Sequence, residues 1–439
     1  MPAAHEERLR RNVACPFCGL ACDDLTIVQS AGRLEVEEAG CWLSRKRYAE
    51  LQSATDAPPI VDGHAAAFDA AVERAAEILA ASRAPAFAVA ADVAGTRAAL
   101  RIADRLGAVI DHPGSDALFH NLRILQDAGA LTTTLSEARN RADFVLVVGL
   151  DPVAAFPRFY ERCIDPARTL FAEGALARVL LRLGPPAPQG AGASAQDEST
   201  AAADRLFEEL PCELDRMPAA IAALRASLND KPVATPDVPG LDAHRLVDLA
   251  TRMKAARYAL VVWAPAMFEE SGAQLVALGL LEVARAVTRT TRCSVLALGG
   301  SANLFGVNQV CTWQTGYPLR TSFAGGSPQH DPWRYSARRM YADGECDALV
   351  WISAFDATFP VPGGDTPVIV LAPPHAAPAR RVQAYLPVGI PGVDHDGQIF
   401  RSDGVVALPL RALRDRGLHD VSSLIGRIEA RLHARGSAP

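Results

Sequence analysis

Four cysteines near the start of the chain carry the clearest chemistry that the sequence offers. Cys15, Cys18, Cys22 and Cys41 follow the spacing C-x2-C-x3-C-x18-C. A C-x2-C step turns two sulfurs towards one centre, so four thiolates in this pattern suit a [4Fe-4S] cluster or a tetrahedral zinc ion. The x3 step and the isolated fourth cysteine favour the iron–sulfur cluster, because zinc ribbons usually end in a second C-x2-C pair. A cysteine-rich structural knob that holds zinc or nothing is the alternative.

The other reactive side chains form no recognised catalytic motif. The 10 histidines are scattered, and the chain contains no HExxH, GxSxG or Walker sequence. His120 lies in a strand–turn–helix passage and could face a ligand crevice, although a histidine that is exposed or satisfied by the protein is the favoured interpretation. The triplets 329–331 and 394–396 could bind a metal, but such triplets more often form solvated turns.

Length and charge exclude several classes of function. The 439 residues are enough for two or three domains. A net charge of -6 without a basic run argues against nucleic acid as a partner. Every apolar segment is too short to cross a bilayer, and residues 1–11 lack the apolar region of a secretory signal. We therefore expect a cytoplasmic protein without a membrane partner. Disulfide bonds between the cysteines are less favoured, because thiols in the cytosol stay reduced.

Hydrophobic periodicity predicts helices that alternate with short, continuously apolar strands. Such strands are typical of a parallel sheet that is covered on both faces. The predicted strands are 86–90, 108–111, 143–148, 258–263, 294–298, 349–353 and 368–371. The predicted helices between and around them are 64–82, 95–106, 117–128, 201–210, 217–228, 242–255, 274–288 and 420–433. We therefore predict an α/β fold with two Rossmann-like parallel-sheet halves.

The same pattern predicts how the chain divides into domains. The predicted parts are an N-terminal four-cysteine module (1–57), a first α/β domain (58–183), a linker with a helical excursion (184–240), a second α/β domain (241–376) and a C-terminal extended segment with a helix (377–439). Each α/β domain is expected to form a sheet of its own. Within the last part, the turn signal at 401–404 predicts a hairpin.

Several blocks of residues resemble, in order along the chain, the B subunit of formylmethanofuran dehydrogenase. The blocks are Cys15–Asp24 with Cys41, Asn140–Asp143, Gly149–Pro152, Pro157–Arg158, Thr312–Pro318 and Phe400–Gly404. The resemblance implies a molybdopterin oxidoreductase-like fold, similar to that of formate dehydrogenase. It also implies a [4Fe-4S] cluster on the four N-terminal cysteines. That family closes its pterin site with a separate β-barrel subunit or domain, and we expect no C-terminal β-barrel domain in this chain.

The resemblance further implies a metal ligand that this sequence lacks. In the family, a cysteine or selenocysteine beside a histidine binds the metal of the pterin cofactor, at the start of the helix after the second strand. Here that region reads Ser115–Asn121, and there is no cysteine between Cys41 and Cys163. With His120 taken as the family histidine, Phe119 stands at the ligand position. Because an aromatic ring cannot replace a thiolate on a soft metal, we expect no molybdopterin or tungstopterin.

A chain of this family that lacks the metal ligand is similar to the B subunits of the bacterial formyltransferase/hydrolase complexes of methylotrophs. The resemblance implies a non-catalytic structural subunit of a complex that moves formyl groups between tetrahydromethanopterin and a methanofuran-type carrier (methylofuran) and releases formate. The implied partners are an amidohydrolase-like zinc hydrolase subunit, a formyltransferase subunit and a β-helical C-type subunit. The alternative is an active formylmethanofuran dehydrogenase that holds tungsten or molybdenum through Asp116 or an oxo group, with His120 beside it.

Overall fold

The structure, a computed structural model, describes residues 8–30, 32–53, 56–171, 176–185, 207–233, 238, 240–268, 270–355 and 359–436. The chain forms two compact units. The first unit combines the N-terminal part, up to Ser115, with everything from Gly300 onwards, and the second comprises Asp116–Gly299.

The strands and helices alternate along most of the chain. The strands are β1 (Arg8–Val13), β2 (Leu25–Ser30), β3 (Arg33–Glu38), β4 (Ile60–Val61), β5 (His64–Ala65), β6 (Pro85–Ala90), β7 (Val109–Asp111), β8 (Phe144–Val148), β9 (Val179–Gly184), β10 (Glu208–Pro211), β11 (Tyr258–Trp263), β12 (Arg292–Ala297), β13 (Thr321–Ser322), β14 (Gln329–His330), β15 (Ala348–Ser353), β16 (Val368–Ala372), β17 (Ala384–Pro387), β18 (Gly397–Phe400) and β19 (Ala407–Leu410). The α-helices are α1 (Trp42–Ser53), α2 (Phe68–Ala81), α3 (Val93–Leu106), α4 (Ser115–Ala128), α5 (Leu135–Arg141), α6 (Met217–Leu228), α7 (Ala243–Ala255), α8 (Glu270–Thr288), α9 (Leu304–Thr315), α10 (Ala337–Ala342) and α11 (Val421–Gly436).

The first unit is built on a nine-stranded mixed sheet with the order β14-β13-β7-β6-β15-β16-β17-β4-β5. Its five central strands, from β7 to β17, run parallel, and the outer strands pair with them antiparallel. All residues of β6, β15 and β16 are buried, as expected for strands that are covered on both faces. A separate antiparallel sheet of β1, β2 and β3 carries the cysteine-rich loop, and β18 pairs with β19 as the predicted hairpin.

The second unit is built on a five-stranded parallel sheet with the order β10-β9-β8-β11-β12. The inner strands β8 and β11 are buried along their full length. Helices α6, α7 and α8 supply much of the apolar core that packs with this sheet, including Leu224, Leu249 and Leu280. Within the described residues of both units, no helix combines the length and apolar character that a bilayer-spanning segment needs.

The strand pairing corrects the prediction that residues 58–183 and 241–376 each form a sheet of their own. In the first unit β6 pairs with β15 from the later range, with Ala86 opposite Leu349. In the second unit β8 pairs with β11, with Val147 opposite Val262. Apolar periodicity reports which residues are buried in a strand but carries no information on the strand's neighbour. The α/β character of the chain was therefore predictable, and the exchange of strands between the two halves was not.

The described end of one predicted helix forms a strand instead. Of the range 201–210, residues 201–206 lie outside the described part, and Glu208–Pro211 forms β10 at the edge of the second sheet. This strand runs parallel to β9, with Glu209 opposite Arg182. The carboxylate of Glu209 pairs with the guanidinium of Arg182 at 2.8 Å, and Leu210 is buried. Sheet pairing and burial thus outweigh the helical propensity of the two glutamates that begin this strand.

Candidate functional site

Three of the four cysteines lie in the loop between β1 and β2. Cys15, Cys18 and Cys22 are buried, with exposed fractions of 5%, 8% and 5%. The loop folds back on itself, because the backbone N–H of Cys15 donates to the carbonyl of Cys22 at 2.7 Å. A tight turn with Ala21 at a positive φ of 46° brings the Ala21 N–H to the carbonyl of Cys18. The three thiols are thereby held in one short, buried loop.

The fourth cysteine, Cys41, precedes the first turn of α1. Its sulfur accepts a hydrogen bond from the backbone N–H of Ser44 at 3.4 Å, and its own N–H donates to the Ser44 hydroxyl at 3.0 Å. This reciprocal pair satisfies donors at the start of the helix in the manner of a capping box. The Cys41 sulfur thus lies at the N-terminus of α1, held by the backbone of the helix's first turn.

The four thiols influence one another electrostatically. Burial raises the pKa of the Cys15 thiol well above its usual value, and the charges of Cys18, Cys22 and Cys41 raise this pKa further. Burial, Cys22 and Cys41 likewise raise the pKa of Cys18. A metal ion would have to displace the thiol protons and would then bind four sulfur ligands, a donor set that fits zinc or an iron–sulfur cluster. Among the described residues, no group of three or more His, Cys, Asp or Glu side chains is placed so that it could hold a metal ion.

The carboxyl end of β7 carries a second group of polar side chains, which sequence reasoning missed. Asp111 is 1% exposed, accepts the backbone N–H of Ala337 at 2.9 Å and faces the guanidinium of Arg320 at 3.6 Å. Burial raises the pKa of Asp111, while the charge of Arg320 opposes this shift. Arg320 also donates to the Ser115 hydroxyl at 3.0 Å. The end of this strand is thus closed by a buried ion pair.

The next residue, His112, is fixed by the backbone on both ring nitrogens. The Gly114 N–H donates to Nδ1 at 2.9 Å, so Nε2 carries the proton and donates to the Ala302 carbonyl at 3.2 Å. Burial lowers the pKa of His112 to about 4. The Phe359 ring packs against it at 5.6 Å between centroids. The imidazole is therefore neutral near pH 7, and it can bind a metal or accept a proton only by giving up a backbone hydrogen bond.

His120 and Phe119 lie on α4, the helix that follows the second parallel strand. Both are in its second turn, within the second unit, where Phe119 is 3% exposed and His120 is half-buried. The strand itself ends with the pair Asp111-His112, of which Asp111 is the last residue of β7. The signal that could have identified it is the sequence Asp-His-Pro-Gly immediately after the apolar residues of β7.

The triplet Asp394–Asp396 forms a turn held by local bonds. Asp394 accepts the Ile390 N–H at 3.0 Å and pairs with Arg414 at 2.8 Å. Both ring nitrogens of His395 lie against backbone carbonyls, those of Asp396 and Gly389. These contacts use the side chains for folding, and the buried Asp394 makes the turn less solvated than the sequence predicted.

Phenylalanine rings lie at the places where open α/β sheets usually receive ligands. Such crevices lie at the carboxyl ends of adjacent strands where the strand order reverses. In the first unit this point lies between β6 and β15, and Phe355, which is 1% exposed, packs there in a cluster with Ala90, Ala302, Ile399 and Leu410. In the second unit it lies between β8 and β11. There the Phe268 ring lies so close to Gly149 that an added Cβ would come within 2.6 Å of it.

Known proteins resemble the chain over most of its length. No protein-family model matches it. The B subunit of the formyltransferase/hydrolase complex Fhc from Methylorubrum extorquens is 33% identical over 354 residues, which cover 79% of this chain and 89% of the relative. The B subunit of tungsten-containing formylmethanofuran dehydrogenase 2 from Methanocaldococcus jannaschii is 26% identical over 410 residues, which cover 90% of this chain and 92% of the relative.

Two solved structures are also similar. The formyltransferase/hydrolase complex FhcABCD from Methylorubrum extorquens, crystallised with methylofuran, contains a chain that matches with a TM-score of 0.70 and 28% identity, covering 87% of this chain and 100% of that chain. Acetylene hydratase from Pelobacter acetylenicus matches with a TM-score of 0.62 and 13% identity, covering 97% of this chain and 70% of that one, a likeness that concerns the fold alone. The chain belongs to the family of formylmethanofuran dehydrogenase B subunits and their counterparts in formyltransferase/hydrolase complexes.

Proposed function

We propose that this chain is a non-catalytic structural subunit of a formyltransferase/hydrolase complex. The observation that carries the proposal is the closed end of β7, where Asp111 is paired with Arg320 and His112 is bound by backbone groups on both nitrogens. The family resemblance places a cysteine or selenocysteine beside a histidine after the second strand. In this chain there is no cysteine between Cys41 and Cys163, and Phe119 stands beside His120 on α4. Neither an aromatic ring nor a buried carboxylate that neutralises an arginine is a good substitute for a thiolate on tungsten or molybdenum.

The filled crevices support the same conclusion. A pterin cofactor needs space at the carboxyl ends of the strands, and Phe355 and Phe268 occupy that space in the two units. Both rings are buried, with exposed fractions of 1% and 8%. The chain would thus keep the enzyme fold as a stable building block.

The role of such a subunit is to hold others in place. Its proposed partners are an amidohydrolase-like zinc hydrolase subunit, a formyltransferase subunit and a β-helical C-type subunit. In this proposal the complex moves formyl groups between tetrahydromethanopterin and a methanofuran-type carrier and releases formate in the cytoplasm. The support is the 33% identity to the Fhc B subunit and the match to a chain of the solved FhcABCD complex.

The four cysteines would have a structural role in this protein. We propose that Cys15, Cys18, Cys22 and Cys41 hold a [4Fe-4S] cluster or zinc, which joins the β1–β2 loop to the start of α1. The support is the all-sulfur donor set and the mutual effect of the thiols on their pKa values. Metal binding to such a set contributes directly to folding, because the unfolded chain offers no preformed site.

Substitution of His112 tests the non-catalytic role. In the purified multisubunit complex, we expect His112→Gln to leave the rate of formyl transfer and hydrolysis per assembled complex unchanged within about twofold. Removal of a catalytic acid–base group would instead lower the rate about 10²–10⁴-fold. Elemental analysis of the unaltered complex should find no stoichiometric tungsten or molybdenum. Size-exclusion chromatography of the variant controls for assembly. Stoichiometric tungsten or molybdenum, together with loss of activity in an intact His112→Gln complex, would instead support the oxidoreductase.

A further inference from the structure

Two tryptophans of the first unit lie on its surface. Trp313 is 63% exposed and Trp333 is 69% exposed, whereas Trp351 in β15 is 1% exposed. Tryptophan is highly buried on average, so each of these rings leaves a large apolar area in water. The Trp313 ring has only one ring contact, with Phe400 at 5.6 Å between centroids, among the described residues. It belongs to the block Thr312–Pro318, which carries part of the family resemblance and which the proposed function has not yet used.

Tyr317 connects the two tryptophans. It directly follows Gly316, the C-cap of α9, and Trp313 lies in the last turn of that helix. The Tyr317 ring is 45% exposed and stacks on the His330 imidazole at 6.3 Å between centroids. Trp333 is three residues after His330, so the two Cα atoms lie within about 11 Å of each other. We call Trp313, Tyr317 and Trp333 the aromatic surface.

The backbone that carries the aromatic surface is fixed by hydrogen bonds within the chain. The Thr315 hydroxyl accepts the N–H of Tyr317 at 3.0 Å. The Asp331 carboxylate accepts the N–H of Trp333 at 2.9 Å. Because these segments are ordered before any partner arrives, a partner that covers the rings would not have to order them on binding.

The exposed charges beside the aromatic surface are positive. Arg334 and Arg338 are exposed, and within the described parts of the chain neither guanidinium forms an ion pair with a carboxylate. The carboxylate of Asp331 is used by its own turn, where it accepts two backbone N–H groups. The next charges along the chain pair with one another, namely Arg339, Asp343 and Glu345. Acidic side chains on a partner would therefore find two arginines available opposite them.

We propose that the aromatic surface is the docking site of another subunit of the complex, which covers it with an apolar segment bordered by acidic side chains. Trp, Tyr and Arg are the residues that most often dominate the energy of protein interfaces. Single-stranded nucleic acid also binds to aromatic rings and arginines, but it needs a positively charged groove. Two arginines on a chain with a net charge of -6 do not provide one. The inference rests on the proposed function and adds the surface through which this chain holds a partner.

Substitution of Trp333 by alanine tests the docking site in the full complex. The complex is purified through a tag on this chain and then diluted, and mass photometry measures the fraction that stays assembled. We expect Trp333→Ala to raise the dissociation constant at least about 30-fold, the loss typical of a residue that dominates an interface. The isolated variant should keep the urea midpoint of the unaltered chain, because the ring is exposed.

Arg334 tests the acidic border of the partner. Arg334→Glu should weaken assembly more than Arg334→Ala, and Arg334→Lys, which keeps the charge, should weaken it least. Added salt should weaken the unaltered complex more than the Arg334→Ala complex, because salt screens the removed attraction. Leu275→Ala is a matched control, at a leucine that is 62% exposed in the second unit, and it should leave the dissociation constant unchanged.

Three results would overturn the assignment. The first is a Trp333→Ala complex that assembles as tightly as the unaltered one, in which case the structural-subunit proposal stands and this docking site does not. The second is a dimer of the isolated chain that Trp333→Ala separates. The third is a single-stranded oligonucleotide that binds to the unaltered chain but not to Trp333→Ala. A tagged chain that purifies without any other subunit would instead contradict the structural-subunit proposal, and the docking site with it.

Discussion

Replacement of Arg320 by alanine is expected to lower the free energy of unfolding by about 3–5 kcal/mol at neutral pH, the usual cost of removing one partner of a buried ion pair. Arg320 is 5% exposed and Asp111 is 1% exposed, so the carboxylate would remain in the interior without its counter-charge. The variant would also lose the hydrogen bond to Ser115 at 3.0 Å. Equilibrium unfolding in urea, followed by circular dichroism, measures the loss.

The pH dependence of this loss follows from the direction of the Asp111 pKa. Burial raises that pKa and Arg320 lowers it, with burial dominant. An acid whose pKa is raised in the folded state stabilises the fold below its ordinary pKa of about 4 and loses that contribution as pH rises through the folded pKa. Removal of Arg320 raises the folded pKa further. The deficit of Arg320→Ala should therefore be smaller at about pH 5 than at about pH 8.

Two control variants separate the ion pair from simple loss of side-chain volume. Asp111→Asn combined with Arg320→Ala removes the unpaired charge, and this double variant should regain part of the stability that Arg320→Ala loses. Arg334→Ala, at an exposed arginine of the same unit, should change stability by no more than about 0.5 kcal/mol. A loss below about 1 kcal/mol for Arg320→Ala would show that solvent screens this pair as it screens surface pairs.

The sequence predicted which segments form buried strands, but it did not predict which strands pair with one another. Continuous apolar runs marked β8, β11, β15 and β16, because burial on both faces leaves a direct pattern in the sequence. The partner of each strand left no such pattern, since pairing between β6 and β15 depends on residues far apart in the chain.

The site at the end of β7 was missed for a related reason. The sequence points to His120 because it lies near the start of the helix after the second strand, whereas no local pattern marks the polar side chains at the end of the strand itself. The Asp111–Arg320 pair joins residues that no local window contains. The hydrogen bond from His112 to the carbonyl of Ala302 could not be predicted either, because backbone groups have no sequence signature.

The filled crevice of the first unit leads to the second large prediction. Phe355 packs with Ile399 and Leu410 and with small residues from separate parts of this unit, namely Ala21, Ala90 and Ala302. Because the alanine side chains cannot extend into the space that the ring leaves, most of the cavity would persist. Phe355→Ala is therefore expected to lower the free energy of unfolding by about 3–5 kcal/mol, the usual range for a buried phenylalanine.

The cysteine-rich loop should respond to this cavity, since Ala21 directly precedes Cys22 and contributes to the same cluster. Hydrogen–deuterium exchange of residues 15–22 should therefore accelerate in Phe355→Ala, whereas Phe355→Leu should give a smaller loss of stability and slower exchange. Trp333→Ala, at a tryptophan that is 69% exposed, should have little effect on either measurement. The new cavity is lined by apolar groups, so it should stay dry and bind xenon or benzene rather than a polar cofactor. A Phe355→Ala chain as stable as the unaltered one would show that the crevice can collapse, and that the ring does not hold the end of the sheet closed.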